Sequence, residues 1–254
     1  MEPDRVDIAI AGGGMVGLSL AIGLARAGAD VALVERGSIA HMAEAAFDGR
    51  GSAIAAGSQR ILDGMGLWRA MQADASPILE IRVADGASPL FLHYDHKDIG
   101  DDPLGWIVEN AVIRRSLAGA LQDSDVRVID RTVVERIKPE ADHTGLILER
   151  GRRLEARLVV AADGRNSPLR NLAGIEAVRW AYPQTGIVCA VRHEVPHNGI
   201  AHEHFLPAGP FAILPMIGDR SSIVWTERND LAPAILDLAD DGLAAELRAR
   251  FGTF

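Results

Sequence analysis

Gly12, Gly14 and Gly17 punctuate the run Gly12-Gly13-Gly14-Met15-Val16-Gly17, and an acid, Glu35, follows 18 residues beyond Gly17. This spacing suits a dinucleotide. Gly12 permits a tight turn, Gly14 lets a pyrophosphate come close to the backbone, and Gly17 lets a helix pack tightly on a strand. The N–H groups and dipole at the start of that helix attract phosphates. Glu35 can accept hydrogen bonds from ribose hydroxyls and would repel a 2′-phosphate. Val16, at the start of the helix, and Arg36, beside the acid, complete the candidate set. Taken alone, these residues leave FAD and NAD equally open.

The elements that must hold them are legible. Val6 to Ala11 is an apolar run of strand length, Met15 to Ala27 reads as a helix with small residues at Gly17, Ala21 and Ala25, and Gly28 is a natural stop. Asp30 to Val34 is a second apolar run leading to Glu35. The uncharged stretch from Ile8 to Ala25 has the length of a membrane span. Its five glycines, its close bounds at Asp7 and Arg26, and an acidic rather than basic start assign it instead to a buried strand–loop–helix unit.

Composition limits the rest. The 254 residues, 48% hydrophobic and 24% charged, allow one large domain or two modest ones. A net charge of -9 without Lys/Arg blocks argues against nucleic acid and against a polybasic membrane anchor. Cys189 is the single cysteine, so no intrachain disulfide or Cys-based metal site can form, and a reducing cytoplasm fits.

Further along, Asp48 to Ser52 reads as a loop and Ser58 to Met65 as a helix. Ile78 to Ala84 and Leu90 to Tyr94 read as a hairpin around Asp85-Gly86. Asn110 to Gln122 carries the apolar face of a helix. Val126 to Ile129 is a short strand, and Val133 to Ile137 with Gly145 to Glu149 forms a pair leading into a strand over Leu158 to Ala162. Beyond Val178, four strand-like runs follow: Ile187 to Val191, Ala201 to Leu206, Phe211 to Leu214 and Ser222 to Thr226. Leu231 to Phe251 returns to helical periodicity. Sheet segments thus interrupt an α/β pattern twice, which points to a second domain built from insertions.

Three further motifs carry local chemistry. In Asp163-Gly164-Arg165-Asn166-Ser167-Pro168, Ser167 can cap a helix whose first position is Pro168. Asp163, at a strand end, can hold a basic side chain or the loop backbone. The others are Glu109 to Leu117, containing Arg114, and Asp48 to Arg50 followed by Ser52 to Leu62. Together these motifs resemble the flavin-dependent aromatic hydroxylases of the p-hydroxybenzoate hydroxylase fold. The segments Tyr182 to Thr185, Ala201 to Met216 and Ser221 to Thr226 resemble the branch that hydroxylates ubiquinone precursors, and the resemblance covers essentially the whole chain.

The resemblance implies an α/β fold, a Rossmann-type FAD-binding domain (1–75 and 106–176) interleaved with a smaller β-sheet substrate domain (76–105 and 177–254). It implies FAD, held by Gly12, Gly14, Val16, Gly17, Glu35, Arg36, Arg50, Arg114, Asp163 and Gly164. NAD(P)H is the implied reductant, O2 the oxidant and a hydrophobic, polyprenylated phenol the substrate. Other ubiquinone-biosynthesis proteins as partners, and a cytoplasmic chain with peripheral contact at the inner membrane, fit the same branch. A third family motif, a Gly-Asp followed by Ala-Ala-His, has no match here; Gly218-Asp219 reads as a hairpin turn. The expectation is a truncated chain with the flavin-side half of its site incomplete.

No catalytic acid, base or nucleophile is assigned, because the cofactor carries such chemistry. His193, His197, His202 and His204 are read as metal-free, although His202 and His204 share one face of a strand. Cys189 is read as a small core residue, and Trp180 and Trp225 as sheet packing in preference to a pocket lining. Three other readings compete: a hydroxylase of a small soluble aromatic, a cofactor-binding or assembly subunit without turnover, and an NAD-dependent dehydrogenase. The Asp163 motif argues against the last.

Overall fold

The structure is a computed structural model that describes residues 4–251 apart from Ala45, Ala87 and Pro89. It opens with β1 (Asp4–Ala11), α1 (Met15–Arg26), β2 (Val31–Val34) and α2 (Ile39–Glu44), followed by β3 (Gly51–Ala55) and α3 (Ala56–Gly64). Next come β4 (Ala75–Ile78), β5 (Glu80–Asp85), β6 (Phe91–Asp95), β7 (Gly105–Glu109) and α4 (Asn110–Gln122). Then follow β8 (Arg127–Ile129), β9 (Val134–Pro139), β10 (Thr144–Leu148), β11 (Arg153–Ala161) and α5 (Pro168–Leu172). The remainder is β12 (Gln184–Arg192), β13 (Ile200–Leu206), β14 (Gly209–Met216), β15 (Arg220–Arg228), α6 (Ala232–Leu236) and α7 (Asp240–Phe251). The chain divides into two compact units: residues 1–47, 60–73 and 110–179 form the first, and residues 48–59, 74–109 and 180–254 the second.

The first unit is built on a sheet of order β8-β2-β1-β11-β10-β9. Its first four strands are parallel, while β10 and β9 return antiparallel. β2 is buried along its whole length, as a parallel strand covered on both faces should be. Val6, Ala9, Ala32, Leu146, Leu148 and Leu154 form the core of this sheet. β1 pairs with β11 from Leu154 to Ala161, whereas β10 reaches only Arg153 to Ala156. Among the described residues, the end of β11 is therefore paired on one side only, and Leu158 is exposed there.

The second unit holds a sheet of order β12-β15-β14-β13-β5-β6 and a smaller sheet β3-β7-β4. α6 and α7 cover one face of the larger sheet through Ala232, Ile235 and Leu247, which pack on Phe211, Ile213, Ile223 and Trp225. Arg250 lies over the Trp225 ring at 4.1 Å. The opposite face carries Ala201, Leu214 and Met216, which pack on Ile78, Leu104 and Ile107.

Most elements read from the sequence are present, and α4 has the bounds expected. The differences have physical causes. Ile78 to Ala84 is not one strand, because the chain switches sheets at Leu79. The loop expected over Asp48 to Ser52 gives way to β3 at Gly51, and β7 had no alternating pattern to reveal it. Leu231 to Phe251 is two helices rather than one, with the break at 237–239. Trp225 is buried as expected, but Trp180 is 72% exposed and packs in no core. No helix among the described residues is long and apolar enough to cross a membrane, and Ile8 to Ala25 is divided between β1, a loop and α1.

Candidate functional site

The glycine-rich loop is fixed from both ends. Gly12 N–H donates to Val34 O at 2.8 Å, and Ala162 N–H donates to Ala11 O at 2.7 Å, which ties the ends of β2 and β11 to β1. Gly12 has φ +108°, and a Cβ there would lie 2.2 Å from Ala162 O. A Cβ on Gly17 would lie 1.8 Å from Gly12 O. These two glycines serve the fold itself, since a methyl group at either would force the loop away from α1 or from β11.

Gly14 differs. It is the N-cap of α1, with φ -70° and ψ 179°, and a Cβ built on it meets nothing within 4 Å. Among the described residues, no side chain caps this helix end. The first-turn N–H groups, including those of Val16 and Gly17, have no partner of their own in an α-helix. Val16 itself is 74% exposed.

Glu35 closes one side. Its carboxylate accepts from Gly13 N–H at 2.5 Å and from Gly37 N–H at 2.7 Å, and the residue is buried. A carboxylate offers about four lone-pair positions, so acceptor capacity is left on both oxygens. Asp163 closes the other side. One oxygen accepts from Ser167 Oγ–H and the other from Leu169 N–H at 2.9 Å. Ser167 Oγ in turn accepts from Arg170 N–H at 2.9 Å, which makes it the N-cap of α5 with Pro168 at the first position. The sequence offered Asp163 a basic side chain or the loop backbone; its carboxylate instead holds the start of α5, through the Ser167 hydroxyl and the Leu169 N–H.

These parts surround one groove of about 280 Å³. Gly12, Gly14, Glu35, Arg36, Asp163 and Gly164 all line it, together with Val34, Met42 and 132–134. Val16 and Gly17 adjoin it in the first turn of α1. Arg114 is half-buried on α4 in the same unit but is not among the walls of the groove. Arg50 belongs to the second unit, where two of its nitrogens bond Asp48 at 2.5 and 3.0 Å and its side chain is 60% exposed. That carboxylate raises its already high pKa.

Sequence reasoning missed Gly13, whose N–H is one of the two that the Glu35 carboxylate accepts, and Thr132, whose N–H donates to Glu35 O at 2.9 Å. The glycine run offered a signal for Gly13. None existed for Thr132, which comes from a distant part of the chain.

The histidines have structural partners. His193 faces Val195 O at 2.7 Å and Ser221 Oγ at 3.1 Å, and His197 Nε2 faces Met216 O at 2.8 Å. His202 and His204 share a sheet face, as expected. Glu80, His93 and Asp95 place possible ligand atoms within 4.8 Å of one another. The Glu80 carboxylate is already engaged by Arg82 at 2.8 Å and His93 at 3.1 Å, which holds its pKa down.

A strand–loop–helix cradle with an acid at the end of β2, in one unit, and a mixed sheet in the other define the fold class of the flavin-dependent monooxygenases. The structure superposes on PqsL of Pseudomonas aeruginosa with a TM-score of 0.80 at 21% identity, covering 96% of this chain and 67% of that one. For p-nitrophenol 4-monooxygenase PnpA of Pseudomonas putida DLL-E4 the TM-score is 0.74 at 18% identity, covering 98% and 62%. Residues 5–251 match the profile of the FAD binding domain family, and the chain belongs to that family.

Among curated proteins, the chain is 46% identical over 253 residues to the ubiquinone hydroxylase UbiL of Rhodospirillum rubrum, covering 98% of this chain and 58% of that protein. It is 32% identical over 256 residues to the 3-demethoxyubiquinol 3-hydroxylase of Escherichia coli, covering 99% and 65%. For the ubiquinone biosynthesis monooxygenase COQ6 of Danio rerio the identity is 32% over 268 residues, covering 98% and 55%. The chain thus spans a little over half to two thirds of the length of these relatives.

Proposed function

We propose that this chain is the FAD-binding and substrate-sheet part of a flavin-dependent monooxygenase that hydroxylates the ring of a hydrophobic, polyprenylated phenol. The observation that carries the FAD reading is the groove around Gly14: open space above the helix end, with Glu35 on one side and Asp163 on the other. The substrate class rests on the ubiquinone-pathway relatives.

The residues present fit the adenosine and diphosphate end of FAD. The free first-turn N–H groups of α1, with Gly14 offering no side chain to block approach, would receive the pyrophosphate. Glu35, braced by Gly13 and Gly37, keeps acceptor capacity for ribose hydroxyls. Arg36, exposed beside it, supplies positive charge, and Val16 is an apolar side chain that a bound cofactor would cover. Asp163 holds the Gly164 loop in shape through Ser167 and Leu169. Arg114 and Arg50 are assigned to the cofactor by family resemblance.

The chemistry that FAD supplies when bound is acceptance of hydride from NAD(P)H and delivery of one atom of O2 to the ring, the other leaving as water. The protein's share is to bind, orient and keep water away. A prenylated substrate would bring the enzyme to a membrane surface by peripheral contact, alongside other proteins of the pathway.

The test is the visible spectrum of the purified protein, followed by NADPH oxidation with and without a prenylated phenol and with a small soluble phenol. A flavin spectrum with NADPH oxidation and a hydroxylated prenylated product is expected. Product from the soluble phenol alone would replace the substrate class, and bound FAD without oxidation in any arm would overturn turnover by this chain. A colourless protein that takes up NAD instead would overturn the flavin reading.

A further inference from the structure

The larger sheet of the second unit carries one carboxyl where its pattern calls for an aliphatic side chain. Side chains alternate along a strand, so Ala201, Glu203 and Phe205 of β13 share a face, and His202 and His204 take the other. Glu203 stands opposite Val83 of β5 on one side and Ala212 of β14 on the other. Val83 stands opposite Leu92 of β6, Ala212 opposite Val224 of β15, and Val224 opposite Val188 of β12. The row across all six strands therefore reads Leu92, Val83, Glu203, Ala212, Val224, Val188.

Glu203 is half-buried in the middle of that row. Burial raises its pKa, and among the described residues no hydrogen bond or neighbouring charge acts on it. The other ionisable groups on this face stand at strand ends or on the edge strand: Asp85 on β5, Tyr94 on β6, Arg192 on β12, and Arg220 and Arg228 on β15. Arg220 is bonded to Glu109 at 2.8 Å and Arg228 to Asp230. A carboxyl held in apolar surroundings without a donor costs free energy that a ligand donor would recover.

We propose that this row is a binding site for an aromatic hydroxyl compound, its ring lying on the aliphatic side chains and its O–H donating to the Glu203 carboxylate. The phenolic class of the ligand rests on the function proposed above; the placement of the polar anchor rests on the sheet register. A phenol donating to a carboxylate gains electron density in its ring, the property that electrophilic oxygen transfer requires. Glu203 is then both the anchor and the group that prepares the ring.

The test compares binding of 4-propylphenol with that of propylbenzene, by calorimetry on the purified chain. The two probes differ by one hydroxyl. The chain is expected to bind the phenol about tenfold or more tightly than the arene, the size of a hydrogen bond to a charged acceptor. Glu203→Gln keeps the shape and should shrink that ratio several-fold. Glu203→Leu completes the aliphatic row; it should abolish the preference while holding the arene at least as well, with an unchanged or higher melting temperature. Equal binding of both probes by the unsubstituted chain, no binding of either, or a preference that survives both substitutions overturns the inference. Should Glu203→Leu fail to fold, the Glu203→Gln ratio decides. A Glu203-dependent preference in a protein that hydroxylates nothing would leave this site standing and remove the function, whereas hydroxylation indifferent to Glu203 would do the reverse.

Discussion

The carboxylate of Glu35 accepts the Gly13 N–H at 2.5 Å, so the acid at the end of β2 braces the glycine-rich loop after β1. A residue expected to meet a ribose is first of all part of the scaffold of its own site. Glu35→Gln places an amide whose N–H2 cannot accept from both Gly13 and Gly37. FAD affinity should fall at least tenfold, from the loss of a charge-assisted hydrogen bond worth about 1.5–3 kcal/mol. Flavin fluorescence titration of the apoprotein measures it.

Gly14 and Gly17 should respond to alanine in opposite ways. Gly14 has an ordinary φ and open space, so Gly14→Ala should leave stability unchanged or raise it by about 0.4–1 kcal/mol. It should nonetheless abolish FAD binding, because the methyl group occupies the path of the phosphates. Gly17→Ala drives a Cβ into Gly12 O and should cost more than about 3 kcal/mol. Thermal melts with and without FAD separate the two: a destabilised Gly14→Ala protein would contradict the assignment of Gly14 to ligand approach.

Asp163 and Ser167 form one capping unit. Each single alanine substitution should destabilise by about 1–2 kcal/mol, and the double substitution by clearly less than their sum, since each removes the other's partner. A double-mutant cycle in urea measures the coupling. Strict additivity would mean that the two side chains act separately.

His202 predicts a pH dependence. Burial, then the positive charge of Arg82 and the neighbouring His204, lower its pKa from 6.5 to about 4, against a weaker opposing pull from Glu80. Between these values the unfolded chain binds a proton that the folded chain refuses, so stability falls as pH drops from 6.5 toward 4. The loss from this residue is on the order of 2–3 kcal/mol by pH 4. Above pH 6.5 His202 contributes no slope. Urea midpoints at pH 7 and pH 5, compared with His202→Asn, isolate it; an identical pH slope in the variant would rule out this source.

The end of β11 should exchange its amides readily. Leu158 to Ala161 pair with β1 on one side, and β10 stops at Ala156. Alternate backbone groups there face no strand among the described residues, unlike those of β1, which lies between β2 and β11. Hydrogen exchange should show every second amide from 157 to 161 far less protected than the amides of Ala9 and Ile10. Uniform protection along β11 would mean that another segment covers this edge.

Wherever a local pattern carried the information, the sequence alone determined the element. Val6 to Glu35 declared a strand, a glycine turn, a helix and an acid, because a period of 2, a period of 3.6 and a helix stop are each written within a few residues. The bounds of α4 and the cap of α5 at Ser167-Pro168 were legible for the same reason. Family resemblance added FAD, Arg50 and Arg114, which no local pattern supplies. Only the tertiary structure decided what depends on residues distant in the chain. It placed β11 beside β1 across about 150 residues of sequence, put Thr132 on the carbonyl of Glu35, and turned 51–55 and 105–109 into paired strands. It also showed that Gly12 and Gly17 are packed against the fold while Gly14 faces open space, three glycines that are identical as letters. Register decided Glu203 in the same way: its neighbours Val83 and Ala212 come from two other strands, and which face a side chain takes is settled by pairing, not by the residue itself.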